Sequence, residues 1–214
     1  MKEIIHPEQK KYISSFDKES DELILAMESY ARKNSVPILS RDSAKLMELL
    51  IQIYKPERVL EVGTAIAYTT IRIARNLESR SKIHTIEFSK DNARLAKSNI
   101  ERSGLSKKIK LFFGDAKEVM PALKQKYDFI FLDADKKDYA ELFKLAMKLL
   151  IKNGVIFIDN LLWHGFTASK EVPEKYKTST KFIRDFNNIF MNHPALKTVI
   201  LPVGDGIGLG VKIK

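Results

Sequence analysis

The sequence predicts an α/β fold: a doubly wound sheet of seven strands with a C-terminal antiparallel hairpin and extra N-terminal helices. Three observations predict it. Between residues 58 and 158, short apolar runs alternate with stretches whose apolar residues recur at helical spacing, the pattern of strand–helix units on a parallel sheet. Each of those runs ends in an acid or a glycine, the residue types found where open sheets bind ligands, at the carboxyl ends of strands. The last two β-like runs flank Gly204-Asp205-Gly206, the composition of a hairpin turn. At 214 residues the chain suits one α/β domain, 1–214, with a helical layer at 1–54 and the sheet-bearing core at 55–214.

The elements follow in order. Residues 1–35 read as helices, with one apolar cluster at Tyr12, Ile13 and Phe16 and another at Leu23, Ile24, Met27 and Tyr30. Val36-Pro37-Ile38-Leu39 breaks the chain, and Ser40 caps a helix to Tyr54 whose Leu46, Leu49, Leu50 and Ile53 should face inward. Lys55-Pro56 ends it. The first strand, Arg58–Val62, runs into Gly63 and a string of small residues, and Ile71, Ala74 and Leu77 continue at helical spacing. The second strand, Lys82–Ile86, ends at Glu87, and a helix follows from Lys90 to Ser103, stopped by Gly104. The third strand, Ile109–Phe113, leads to Gly114-Asp115-Ala116 and a short helical turn, Ala116–Leu123. The fourth, Tyr127–Leu132, ends in Asp133-Ala134-Asp135-Lys136, and a helix spans Tyr139–Leu150. Asn153-Gly154 turns the chain into the fifth strand, Val155–Ile158, which ends in Asp159-Asn160. Residues 161–178 read as a loop over the site, Thr180–Met191 as a helix, and Thr198–Val203 with Ile207–Ile213 as the hairpin.

Composition narrows the class. No apolar run reaches membrane-span length, and the first residues hold no apolar core of signal-peptide length. The chain has no cysteine, so disulfides and thiolate metal sites are excluded and a cytoplasmic location is expected. Net charge is +10, distributed as −1 over residues 1–35, +4 over 36–100 and +7 over 101–214. A basic body suits a polyanionic partner, because phosphate contacts release counterions; it also suits a surface decorated with lysine for solubility.

Two constellations carry chemistry. In the first, Glu61 and Gly63 close strand one, Glu87 closes strand two and Asp115 follows strand three, all on one sheet edge. Glu87 lies 26 residues past Glu61, which suits an acid that bonds ribose hydroxyls, and Asp115 can bond an adenine amino group where Ala116 leaves room for the ring. The turn lacks the full G-x-G-x-x-G fingerprint, which argues against a dinucleotide. In the second, Asp133 and Asp159 end neighbouring strands and Asn160 adds a neutral oxygen. That is a hard oxygen set suited to Mg²⁺ or Ca²⁺, although Asp after a strand also caps helices and loops. Lys136, beside such a cation, would have its pKa lowered and could accept a proton; otherwise it is a solvated lysine beside Lys137. His84 lies inside strand two and reads as structural, while His6, His164 and His193 fall in loops.

Taken together these residues resemble the metal-dependent class I S-adenosylmethionine O-methyltransferases, the group of catechol and caffeoyl-CoA O-methyltransferases. Leu60-Glu61-Val62-Gly63-Thr64-Ala65-Ile66-Ala67-Tyr68-Thr69 is similar to the family's cofactor loop, Phe131-Leu132-Asp133-Ala134-Asp135-Lys136 to its metal-and-lysine motif, and Ile158-Asp159-Asn160 to its second metal motif. The resemblance runs from Val36 to Gly206 and implies a Rossmann-like fold. It implies Asp133, Asp159 and Asn160 as Mg²⁺ ligands and Lys136 as the catalytic base. For S-adenosylmethionine it implies Glu87 at the ribose and Asp115 with Ala116 at the adenine, with Leu39, Gly63 and Thr69 along the methionine portion and Glu61 and Asp133 nearby. The family usually has glycine where this chain has Ala67. Within the group the chain looks most like the small bacterial members that methylate 5-hydroxyuridine at the tRNA wobble position, which implies tRNA as a partner; the family's members are often dimers, so a homodimer is expected, with the N-terminal helices as candidates for the contact. The alternative is a small-molecule acceptor of the catechol or caffeoyl-CoA type. Lys107, Lys108, Lys110, Lys170, Lys175 and Lys177 are candidates for RNA contact.

Overall fold

The computed structural model describes residues 5–214. Three helices come first: α1 (Pro7–Ser15), α2 (Glu22–Asn34) and α3 (Arg41–Tyr54). The core then alternates β1 (Arg58–Val62), α4 (Tyr68–Asn76), β2 (Lys82–Glu87), α5 (Lys90–Arg102), β3 (Ile109–Phe113), α6 (Ala116–Ala122), β4 (Tyr127–Leu132), α7 (Tyr139–Leu149) and β5 (Leu150–Ile158). Two 3₁₀ turns, Lys136–Asp138 and Trp163–Ala168, flank the site, and α8 (Glu174–Met191), β6 (Leu196–Leu201) and β7 (Ile207–Lys212) complete the chain. The seven strands form one sheet in the order β3-β2-β1-β4-β5-β7-β6. The first five are parallel, and β7 runs antiparallel between β5 and β6.

The central strands are apolar on both faces because helices cover both. One core packs Val59, Phe129, Phe131 and Phe157 against α2, α3, α4 and α5. The other packs Leu60, Val62, Ile130, Leu132 and Ile156 against α7 and α8, where the rings of Phe143, Phe186 and Phe190 meet at 5.5–6.2 Å. The register sets the site. Val62 pairs with Ile86 and with Leu132, and Leu132 pairs with Ile158. The next residue on each strand, Gly63, Glu87, Asp133 and Asp159, therefore emerges on one level at one edge.

Several expectations are corrected. On α3 the buried face is Ser43, Ala44, Met47 and Ile51; Leu49 and Ile53 are 57% and 78% exposed. The helix carries two overlapping apolar stripes, and Leu46 and Leu50 lie partly buried at the margin of the inner one. On α1 nothing is buried, and Tyr12 and Phe16 contact each other edge-to-face at the surface. The fifth strand begins at Leu150, not Val155. Tyr127 pairs with Leu150 and Phe129 with Val155, so the turn at Asn153 (φ 63°) is a bulge inside the strand. The last helix starts at Glu174, not Thr180, behind Pro173. Its first turn has no apolar periodicity to announce it, and Pro at the start is compatible with a helix.

Candidate active site

The loop from β1 to α4 is shaped by close backbone contacts. Gly63 has φ +102°, and a Cβ there would lie 1.8 Å from the Asp133 carbonyl oxygen, so only glycine fits. The Gly63 and Thr64 N–H groups both donate to the Ile86 carbonyl, at 3.1 and 3.2 Å. Glu87 accepts from the Ala65 N–H and the Ser89 N–H, each at 2.7 Å, and the Asn99 amide donates to the Ile66 carbonyl at 2.9 Å. Ala67 is fully buried at the N-cap of α4 with φ 68°. This left-handed conformation accounts for a preference for glycine at that position. Asp115 caps α6 by accepting from the Lys117 N–H at 2.8 Å.

Glu61 lies beneath the loop, fully buried. It accepts from the hydroxyls of Thr70 and of Thr85, the latter at 2.6 Å, and its Oε1 has no partner. Burial pushes its carboxyl up to about 8, against the two threonine bonds and with help from the charges of Asp133 and Glu87.

Asp133 and Asp159 follow the ends of neighbouring strands. The Asp133 N–H donates to Val62 and the Asp159 N–H to Leu132, continuing the parallel ladder past the strand ends. Asp159 is 6% exposed and its Oδ1 has no hydrogen-bond partner. Burial first, then the Asp133 charge, holds its carboxyl above the usual carboxylate range. Lys136 Nζ sits among Asn160 Oδ1 at 2.5 Å, the Tyr139 hydroxyl at 3.0 Å, the Ala134 carbonyl at 3.1 Å and Asp133 Oδ1 at 3.5 Å. It also lies 5.5 Å from the centre of the Trp163 ring. The Tyr139 hydroxyl in turn donates to the Asp159 carbonyl at 3.0 Å.

A cavity of about 700 Å³ opens over this edge. It brings together Gly63, Glu87, Asp115, Ala116, Asp133, Lys136, Asp159 and Asn160. Leu39, Glu61 and Thr69 do not line it. Leu39 is buried and lines a neighbouring cleft with Glu28 and Arg41; Thr69 is buried in the first turn of α4. The cavity also takes in Pro37, Ile38, Phe88, Trp163 and His164. Phe88 and the pair Trp163-His164 had a faint signal as aromatics beside strand-end acids. Tyr139 and Asp205 had none, because a tyrosine at a helix start and an acid in a glycine turn are ordinary. His84 is structural, bonded to the Tyr127 hydroxyl at 2.8 Å, and His193 packs on Phe143.

Two groups fit the site's chemistry. The cavity over the strand tips, with acids at the ends of β2 and β3, suits a nucleoside-bearing cofactor. An unpartnered buried carboxylate oxygen beside a second carboxylate and an amide suits a hard divalent cation. Among the described residues no group of three or more His, Cys, Asp or Glu converges, so such an ion would take two carboxylates and one amide from the protein.

Comparison with known proteins shows the family. The sequence profile of the O-methyltransferase family matches residues 14–213. A catechol O-methyltransferase of Niastella koreensis is 30% identical over 211 residues, covering 94% of each chain. Caffeoyl-CoA O-methyltransferase 2 of Populus trichocarpa is 30% identical over 184 residues, covering 82% of this chain and 74% of its own. The crystal structure of an O-methyltransferase from Bacillus cereus in complex with SAH superposes with a TM-score of 0.82 at 28% identity, over 94% of this chain and 96% of that one. The chain belongs to the O-methyltransferase family and is an enzyme that transfers a methyl group to oxygen.

Proposed function

We propose that the protein is an S-adenosylmethionine- and divalent-cation-dependent O-methyltransferase whose acceptor presents two adjacent oxygens, as a catechol or caffeoyl group does. The observation that carries it is the pairing of Asp159, buried with an unpartnered oxygen, with Asp133, Asn160 and Lys136 at the mouth of one cavity. Glu87 and Asp115 would hold the ribose and adenine of the donor, and Gly63, by admitting the Asp133 carbonyl, keeps the loop backbone close to the β4 tip. Asp133, Asp159 and Asn160 would hold the cation, Mg²⁺ by the hardness of their oxygens. When bound, the cation would supply positive charge that lowers the pKa of an acceptor hydroxyl. Lys136 would take the acceptor proton at Nζ, with Tyr139 and Asn160 fixing that atom in place. Trp163 and Phe88 line the cavity. Most of the acceleration comes from holding acceptor oxygen and methyl donor in line.

A second acceptor, 5-hydroxyuridine at the tRNA wobble position, is favoured by the net charge of +10. Its 5-hydroxyl beside a carbonyl offers the same two oxygens. Lys107, Lys108 and Lys110 lie at the start of β3, the end away from the site, and Lys108 Nζ caps α4 through the Ala74 and Leu77 carbonyls. Lys170, Lys175 and Lys177 flank the Trp163–Ala168 turn and the start of α8 and remain the RNA candidates. A homodimer would use the apolar side chains that the helical layer leaves exposed, Tyr12, Phe16 and Ile53 among them.

The test is methyl transfer from labelled donor to a catechol, to a caffeoyl thioester and to tRNA containing 5-hydroxyuridine, each with and without chelator. Transfer to the small acceptors that chelator abolishes supports the main reading. Transfer confined to tRNA selects the second, and full turnover in chelator overturns the cation.

A further inference from the structure

We propose that Asp205 is a positioning residue for the cation site: it fixes the Asn160 amide with its oxygen toward Asp133 and Lys136, and it is the reason that position carries an amide instead of a third carboxylate. The inference rests on the cation reading above and deepens it.

Asp205 lies in the turn between β6 and β7, far from Asn160 in sequence. The turn is bolted to the chain that leaves β5. The Leu161 N–H donates to the Gly206 carbonyl at 2.8 Å and the Leu162 N–H to the Asp205 carbonyl at 2.9 Å. A Cβ on Gly206 would lie 2.5 Å from the Leu162 nitrogen, so the two loops are in direct contact. Asp205 then accepts the His164 N–H at 2.5 Å through Oδ1, and its Oδ2 lies 3.3 Å from Asn160 Nδ2 and 3.6 Å from His164 Nδ1.

Asn160 is thus held from two sides. Its Oδ1 faces the Lys136 ammonium at 2.5 Å, and its Nδ2 faces the Asp205 carboxylate. An ammonium only donates and a carboxylate only accepts, so the amide has one orientation. Only the amide oxygen can ligate a hard cation, and Asp205 ensures that it is the oxygen that is presented. Were residue 160 an aspartate, its second oxygen would lie about where Nδ2 is and oppose Asp205, as two carboxylates sharing a site do. An amide satisfies both neighbours at once.

The experiment titrates Mn²⁺ alone into the full chain, without donor or acceptor, and reads bound metal from its electron spin resonance. SAH affinity and thermal unfolding report on each variant's fold. Asp205→Ala should weaken Mn²⁺ about 10–100-fold, the range for residues that orient metal ligands. Asn160→Asp should weaken it comparably, and Asn160→Asp combined with Asp205→Asn should recover most of that loss. A purely structural Asp205 gives no such rescue, because Asp205→Asn would then add its own damage. Wild-type affinity in Asp205→Ala, or a double variant no tighter than Asn160→Asp alone, overturns this proposal and leaves the cation site standing. No Mn²⁺ binding by the wild type, or none lost in Asp159→Asn, overturns the cation reading and this inference with it. If Asp205→Ala does not fold, the rescue pair decides.

Discussion

Gly63 and the Asp133 carbonyl are in contact so close that a Cβ on the glycine would lie 1.8 Å from that oxygen. The contact joins the tip of β1, which begins the cofactor loop, to the tip of β4, which carries the first acid of the cation set. Gly63→Ala must therefore part the two tips. Overpacking costs typically about 1–3 kcal/mol, and the left-handed backbone about 1–2 more for a residue with a Cβ. Urea unfolding should show a loss of about 2–5 kcal/mol by adding these ranges, and calorimetry should show SAH binding lost. Wild-type SAH affinity in this variant would mean that the contact is slack.

Lys136 is held by three oxygens within 3.1 Å, so its amine has a fixed position as well as the right chemistry. Lys136→Met should lower single-turnover methyl transfer about 10²–10⁴-fold, the usual contribution of a positioned base. SAH affinity should stay within about twofold, since Lys136 makes no bond to the β1–α4 loop. Lys136→Arg should not rescue the rate, because a guanidinium does not release its proton. A rate within threefold of wild type in Lys136→Met would remove Lys136 from the reaction.

The chain's strand–helix order and its strand-tip residues were legible because both depend on local pattern. Parallel pairing of Val62 with Leu132 and of Leu132 with Ile158 makes strand tips coincide, so acids one residue past each run meet without further information. What depends on distant packing was not legible. The choice of Met47 and Ile51 over Leu49 and Ile53 as the inner face of α3 is decided by the surface of α4, not by α3 itself. Asp205 reaches Asn160 from a residue 45 positions away, and Tyr139 acquires its place by touching Lys136 and the Asp159 carbonyl. Such support has no spacing rule.

Glu61 makes stability depend on pH. Its folded carboxyl is raised to about 8 from an ordinary value of 4.5 by burial, so the folded state binds the proton more tightly than the unfolded chain. Its contribution is fully present below the unfolded value and is lost as pH rises through about 8. Urea unfolding in chelator should show stability falling between about pH 5 and 8.5, and Glu61→Gln, which keeps an uncharged group in the same shape, should flatten that fall. An identical slope in both proteins would show that Glu61 is ionised in the folded state.

Arg72 links the N-terminal layer to the cofactor-loop helix. It lies on α4, almost wholly buried, 2.7 Å from Glu19 and 2.7 Å from Glu48 on α3, and its guanidinium also donates to the Tyr68 hydroxyl at 3.3 Å. That hydroxyl donates onward to Glu28 on α2 at 2.9 Å, and Glu28 is bound by Arg41. Two positive and three negative groups therefore tie α2, α3 and α4 into one unit. Removing one partner strands the others in a poorly solvated place, at a cost of about 3–5 kcal/mol for a buried pair; Glu19 and Glu48 are partly exposed, which puts the expected loss for Arg72→Met near the lower bound. The same variant should loosen α2 from the body before the sheet unfolds, so limited proteolysis should cut between α2 and α3 sooner than in the wild type. SAH should slow that cleavage if the layer and the cofactor loop are coupled. Unfolding within 0.5 kcal/mol of wild type, by the ordinary scale of surface substitutions, would show that the network is ornament and that apolar packing of Ile24, Met27 and Ala31 alone holds α2 in place.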